Sequence, residues 1–218
     1  MKGWSPASND LRTVPTYTRR RMQALVVVAH PCDDSFTHAA AGRAVAGLRA
    51  AGHVVEVIDL YSIGFRVAMS PEERHAYHGE TPLIDEHTRE HARLVQWADC
   101  LVFVYPTWWS GLPAMLKGWL ERVMVPGVAF VFDERTGKVR PGLRHVRRLV
   151  GITSYGSPRP IVTLINDNGR RTITRTLRMS CGLRARTTWL GLYGVDASTE
   201  IRRRQFLDRV EASMARLS

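Results

Sequence analysis

The chain is short of cysteine and, for so basic a protein, short of lysine. Three cysteines (Cys32, Cys100, Cys181) are scattered through 218 residues. An odd, widely spaced set with no CxxC pair argues against a disulfide scaffold, and no Cys/His spacing suits structural zinc. A reducing compartment is the simplest reading, so the protein is expected in the cytoplasm. No apolar run approaches the roughly 18 residues that a bilayer span requires, so no integral membrane segment is expected. Neither GxxxxGK[ST] nor GxGxxG occurs, which removes the two common glycine-rich phosphate loops.

What the chain has in quantity is arginine. Of 31 basic residues, 28 are arginine, and the formal net charge is +11. Residues 1–23 carry +4, residues 24–133 carry −5, and residues 134–218 carry +12. The basic surface therefore belongs to the C-terminal third. No recognised DNA- or RNA-binding motif accompanies it, so nucleic acid is not expected as a partner. Residues 1–23, with Pro6, Pro15 and Arg19–Arg21 but no apolar stretch, read as a flexible basic arm rather than a secretory signal. Residues 24–218 read as one domain.

Within that domain strand and helix alternate. Short β-branched runs predict strands at 24–29, 54–60, 100–105, 146–153 and 185–193. Helices are predicted at 35–51, 85–97, 113–124, 168–180 and 199–217, the first capped by Ser35 or Asp34 and closed by Gly52, and the fourth basic and amphipathic. Residues 61–83 read as irregular. Strand–helix alternation builds a parallel sheet with helices on both faces. The expected fold is α/β, flavodoxin-like, five-stranded, with strand order 2-1-3-4-5.

In such a sheet the ligand crevice lies beyond the carboxyl ends of the strands, at the switch point between the first and third. Three loops meet there. In the first, His30 and the start of a helix at Ser35, Phe36 and Thr37 offer amides, hydroxyls and a positive dipole end suited to a phosphate. A plain helix cap is the competing reading, and Asp33 and Asp34 would repel an anion unless turned away. The second loop, Pro106, Thr107, Trp108, Trp109, Ser110 and Gly111, places two indoles after a central strand. One can anchor the loop while the other presents a flat face to a planar ring; two structural anchors or an oligomer contact is the competing reading. Thr153, Ser154, Tyr155 and Gly156 form the third loop. Lys117 and Glu121, four apart on one helix, read as a surface ion pair rather than an acid–base pair.

The run YPTWWSGLPAMLKGWLERV, together with VVVAHPCDDSFTHA, resembles the NAD(P)H:quinone oxidoreductase family of flavodoxin-like fold. The resemblance covers residues 24–153 well and the remainder more loosely. It implies a bound flavin, FAD or FMN, NAD(P)H as co-substrate, a quinone-like acceptor and a homodimer. By position it assigns His30, Ser35, Phe36 and Thr37 to the flavin phosphate side. Pro106, Thr107, Trp108 and Trp109 go to the ring, and Thr153, Ser154, Tyr155 and Gly156 to the third flavin loop. Tyr155 is the one candidate for a catalytic hydroxyl, because no histidine follows His145 and a Tyr–His pair is absent. Arg159 is the best-placed candidate for a dinucleotide phosphate. Thr37 stands where the family usually has Asn. The family also contains flavin-bearing ancillary subunits of potassium-efflux systems, so a regulatory subunit in peripheral contact with a transporter is the alternative reading.

Overall fold

The computed structural model describes residues 21–133 and 135–218. The basic arm expected over residues 1–23 lies, as far as Arg20, outside the described residues. Its last positions already belong to the fold: Met22 is buried and β1 (Gln23–Val28) opens at Gln23. The main sheet also contains β2 (Val54–Asp59), β3 (Cys100–Pro106), β6 (Arg148–Tyr155) and β7 (Arg186–Tyr193). Its order is β2-β1-β3-β6-β7, parallel throughout, which is the expected topology. β4 (Phe130–Phe132) and β5 (Val139–Pro141) form a separate antiparallel hairpin.

Both faces of the sheet are covered, which is why the central strands read as unbroken apolar runs. Leu25, Val27, Leu101, Phe103 and Leu149 face α3 (Glu86–Trp97) and α4 (Ala114–Val123). Val26, Val28, Val102, Val104 and Ile152 face α1 (Phe36–Ala50) and α8 (Glu200–Ala215). α1 starts where Ser35 accepts the amide of His38 at 3.2 Å, and it stops before Gly52, whose φ of +81° few other residues tolerate. α8 lies close on α1 because position 47 is glycine: a Cβ there would stand 2.4 Å from the Glu211 carbonyl oxygen.

Two segments differ from expectation. The stretch read as irregular contains α2 (Pro71–Ala76), opened by a capping box in which Ser70 accepts the Glu73 amide and Glu73 accepts the Ser70 amide. The single helix expected over 168–180 is instead α6 (Asn168–Arg171), a π-helical turn (Thr172–Leu177) and α7 (Arg178–Ser180). The hydroxyls of Thr172 and Thr174 donate to the carbonyls of Asn168 and Arg170, at 2.9 and 2.8 Å, and so compete for the acceptors of a regular helix. No helix among the described residues is long and apolar enough to cross a membrane.

Candidate functional site

β1, β3 and β6 are neighbours, so their carboxyl ends deliver the three loops to one edge of the sheet. The second loop is a tight turn. Trp108 and Gly111 exchange both backbone hydrogen bonds, at 3.3 and 3.0 Å. The two residues between them are forced to positive φ, Trp109 at 46° and Ser110 at 59°. Non-glycine residues hold that conformation at a cost of roughly 1 kcal/mol or more each, and such strain gathers at functional positions. One consequence is exposure: the Trp109 side chain is fully solvent-accessible (102%), whereas Trp108 (41%) leans toward His30 with ring centroids 5.9 Å apart. Neither indole fills the core. Trp108 ties the second loop to the first, and Trp109 is left with both faces open.

The third loop is fixed to the second. The Thr107 amide donates to the Ser154 carbonyl at 2.8 Å, and the hydroxyls of Thr107 and the buried Thr153 lie 3.0 Å apart. Pro106 pairs in register with Ser154. A cleft of about 260 Å³ opens between the loops, lined among others by Thr107, Trp109, Ser110, Tyr155, Gly156 and Asp167. Among the described residues, the amides of Trp109, Ser110, Gly156 and Ser157 find no acceptor in the chain. The cleft is therefore rich in N–H donors beside one large aromatic face.

In the first loop, His30 Nδ1 lies 3.1 Å from the Cys32 amide nitrogen and 3.3 Å from the Cys32 carbonyl oxygen, and Nε2 has no hydrogen bond among the described residues. The Phe36 and Thr37 amides, at the first turn of α1, find no acceptor among the described residues. The Phe36 ring faces away and packs on Phe206, centroids 5.8 Å apart, so this residue offers its amide only. Ser35 is more committed than its sequence position suggests. Its hydroxyl caps α1 and also lies 3.0 Å from His38 Nδ1, while His38 Nε2 is 2.7 Å from Asp59. Asp33 belongs to this same cluster, its carboxylate within 4.8 Å of the other two groups. The anion-repelling carboxylate is thus gathered toward His38 and Asp59.

Tyr155 departs most from expectation. Its hydroxyl donates to Asp167 at 2.9 Å, accepts from the Trp189 indole at 3.0 Å, and its ring stacks on Tyr193 with centroids 4.5 Å apart. The side chain is 1% exposed. Burial, and then the Asp167 charge, push its ionisation far above the ordinary tyrosine range. A hydroxyl so held orients Asp167 and Trp189 rather than donating freely to a ligand. Below the turn, the buried Tyr105 hydroxyl has no partner among the described residues and lies close to Gly169. Lys117 and Glu121 pair on the exposed face of α4, as their spacing predicts.

Arg159 opens α5 (Arg159–Leu164), whose Val162 lines the cleft, and makes no ion pair among the described residues. The residues that sequence reasoning passed over are Asp167, Ser157 and Trp189. The signal for Asp167 was present: Asn166-Asp167-Asn168-Gly169 is a turn-and-cap sequence, and Asn166 and Asp167 adopt positive φ of 76° and 41° before α6.

A doubly wound parallel sheet with donor-rich loops converging at its switch point defines the class of α/β proteins that bind ligands in that crevice. Comparison with known proteins makes this specific. The chain belongs to the family described as flavodoxin-like fold, whose model matches residues 22–210. It is 32% identical over 151 residues to NAD(P)H dehydrogenase [quinone] 1 of Rattus norvegicus, covering 62% of this chain and 54% of that one. It is 39% identical over 111 residues to an uncharacterized NAD(P)H oxidoreductase of Haemophilus influenzae, covering 50% and 54%. The matched stretch thus spans about half the length of these curated relatives. Among solved structures, an NAD(P)H:quinone oxidoreductase from Methanothermobacter marburgensis superposes with a TM-score of 0.77 at 27% identity, covering 91% of this chain and 100% of that one.

Proposed function

We propose that the protein is a flavin-dependent NAD(P)H oxidoreductase that passes two electrons to a quinone-like acceptor. The observation that carries this reading is the strained Trp108–Gly111 turn, which sets two unpaired amides and an open indole against the donor-rich Gly156 loop at the switch point. That donor set suits a planar heteroaromatic ring with hydrogen-bond acceptors along one edge. The start of α1 suits the phosphate of the same group. When bound, a flavin supplies reversible hydride chemistry between a nicotinamide and an acceptor.

The chain's own residues have the remaining tasks. Trp109 covers one side of the ring, and its own amide with those of Ser110, Gly156 and Ser157 favours negative charge at the ring's polar edge. His30 Nε2, the Phe36 and Thr37 amides and the Thr37 hydroxyl hold the phosphate side. Thr107, Thr153 and Ser154 lock the two ring-facing loops together. Tyr155 acts as a positioning residue through Asp167 and Trp189. Arg159 takes a phosphate of the dinucleotide. Ile161 and Leu164 of α5 and Ile165 just after it are exposed apolar residues, with Leu164 at 81% and Ile165 lining the cleft with Trp109, which supports a homodimer that closes over the cleft. Three free cysteines are consistent with residence in a reducing compartment such as the cytoplasm.

The test is direct. The purified protein should be yellow or take up added flavin, bleach with NADH or NADPH, and recover its colour when quinone is added. A protein that binds neither FMN nor FAD would overturn the proposal. The dimer is tested separately by light scattering, with Leu164→Glu expected to give monomer.

A further inference from the structure

Beyond the cleft, and sharing Val162 and Asp167 with it, lies a second and larger groove of about 720 Å³. It runs between the α5–α7 segment and β7, the edge strand of the sheet. Its walls include Arg159, Arg170, Arg171 and Arg175, and its floor includes Trp189 and Tyr193. Arg178 lines it too, but its guanidinium is spent on the Ala185 and Leu183 carbonyls, each at 2.8 Å. The other four arginines make no ion pair among the described residues. Arg170 has an aromatic contact, its guanidinium lying 5.9 Å from the Trp189 ring centroid. The one carboxylate lining the groove, Asp167, already accepts from Tyr155.

Four guanidiniums facing a single carboxylate around an aromatic floor leave a net positive groove, a costly arrangement without a further anion because like charges held close repel. The segment that carries three of them is the one with the π-helical turn and the positive-φ entry, and π turns recur at functional sites. The groove also has length. Thr187 and Tyr193 both line it, and six residue rises of about 3.3 Å separate them by roughly 20 Å along β7. That is enough for a phosphorylated nucleoside lying end-on to the cleft.

We propose that this groove binds the 2′-phosphorylated adenosine end of the dinucleotide, so that the protein selects NADPH over NADH. The selection rests on the function proposed above; the binding of the phosphorylated nucleoside does not. Arg171 and Arg175 are four apart on one helical segment and can fork a single phosphate, which guanidinium geometry favours. Trp189, whose position is set by Gly151 beneath it, supplies the flat surface for the base.

Calorimetry with adenosine 2′,5′-bisphosphate, which needs no flavin, tests the groove. The bisphosphate should bind about tenfold or more tightly than AMP, because charge-assisted hydrogen bonds to one further phosphate are at stake. In R171A/R175A that advantage should vanish, and it should return in part in R171K/R175K. Arg202→Ala removes one charge from α8, on the opposite face of the sheet, and should change nothing. Equal binding of the two nucleotides, or the same loss in Arg202→Ala, would overturn the proposal. Loss of flavin in place of bisphosphate binding in R171A/R175A would also overturn it, by giving the groove to the flavin phosphate. Stopped-flow reduction then tests selection: NADPH should reduce the flavin at lower concentration than NADH, with the difference erased in R171A/R175A. Equal use of both dinucleotides overturns the selection. Reduction by neither overturns the proposed function, while the calorimetry still decides the groove.

Discussion

Arg122 and the arginines of the β7 groove show two uses of one side chain. Arg122 is 3% exposed, in α4. It pairs with Glu73 of α2 and with Asp85, donates to the Arg66 carbonyl, and lies 4.9 Å from the Phe65 ring centroid. Burial alone would raise the Glu73 carboxyl. The Arg122 hydrogen bond, the Ser70 amide and the charges of Arg122 and Arg66 outweigh that and hold it below the ordinary range. Every charge in that cluster is answered within the chain, and the cluster clamps the 65–85 segment to α4. In the groove, Arg159, Arg171 and Arg175 have no ion pair or side-chain hydrogen bond among the described residues. A paired arginine holds a fold; a set of unpaired ones around a cavity is built for something that arrives.

The sharpest break of this comparison is mutational. Arg122→Leu removes the buried partner of the Glu73 carboxylate, leaving it Arg66 and the Ser70 amide, and should cost about 3 kcal/mol in urea unfolding. R171A/R175A should stay within about 0.5 kcal/mol of the parent, since no internal partner is lost. Comparable losses at the two places would erase the distinction.

Next in size is Gly151→Ala. A Cβ there would stand 2.1 Å from the Trp189 ring, so the indole must move. Overpacking of this kind costs about 1–3 kcal/mol. It should also shift tryptophan emission and weaken nucleotide binding in the groove, linking floor to function. A stable variant with unchanged emission would show that the floor is not fixed this way.

His91 sharpens the structural side of the comparison. It is buried in α3, accepts the Trp119 indole N–H at 3.2 Å, and has its pKa lowered to about 4, chiefly by burial and then by the neighbouring His87 charge. Between about pH 4 and the unfolded value of 6.5 the unfolded chain binds the proton and the folded chain does not. Stability should therefore fall as pH falls through that window. Thermal melts of His91→Gln should show a flatter profile there. The smallest effect is expected at Lys117: its pair with Glu121 is half exposed, and Lys117→Ala should leave unfolding within about 0.5 kcal/mol.

Much of this was legible in the chain. The three central strands announced themselves because burial on both faces makes runs such as ALVVVA and CLVFVY continuous, and the edge strands β2 and β7 through their β-branched and aromatic residues. Ser35 and Gly52 bracketed α1 for reasons of capping and backbone freedom. α2 carried its own signal, Ser70-Pro71-Glu72-Glu73, inside a stretch whose prolines and glycines suggested irregularity. β4 and β5 were not legible: three residues each, two of them exposed, leave no periodic pattern to read. The π-helical turn was not legible either, since 168–180 has the apolar spacing of an ordinary helix and only the threonine back-bonding distinguishes it.

At the site, the sequence located the right loops but not the commitments of their side chains. Phe36 turns to Phe206, and Ser35 to His38. The Tyr155 hydroxyl is taken by Asp167, twelve residues on, and by Trp189 from the next strand. Such pairings arise from packing between elements, which local spacing does not encode.

The central claim is that the strained Trp108–Gly111 turn presents Trp109 to a flavin. Flavin titrated into apoprotein, followed by fluorescence quenching, measures this most directly in the parent, in Trp109→Ala and in Phe132→Ala, an exposed aromatic of the β4 strand. The account predicts flavin binding weakened about tenfold in Trp109→Ala, as loss of an aromatic stacking surface implies, with Phe132→Ala unchanged. Equal affinity in all three proteins would contradict it.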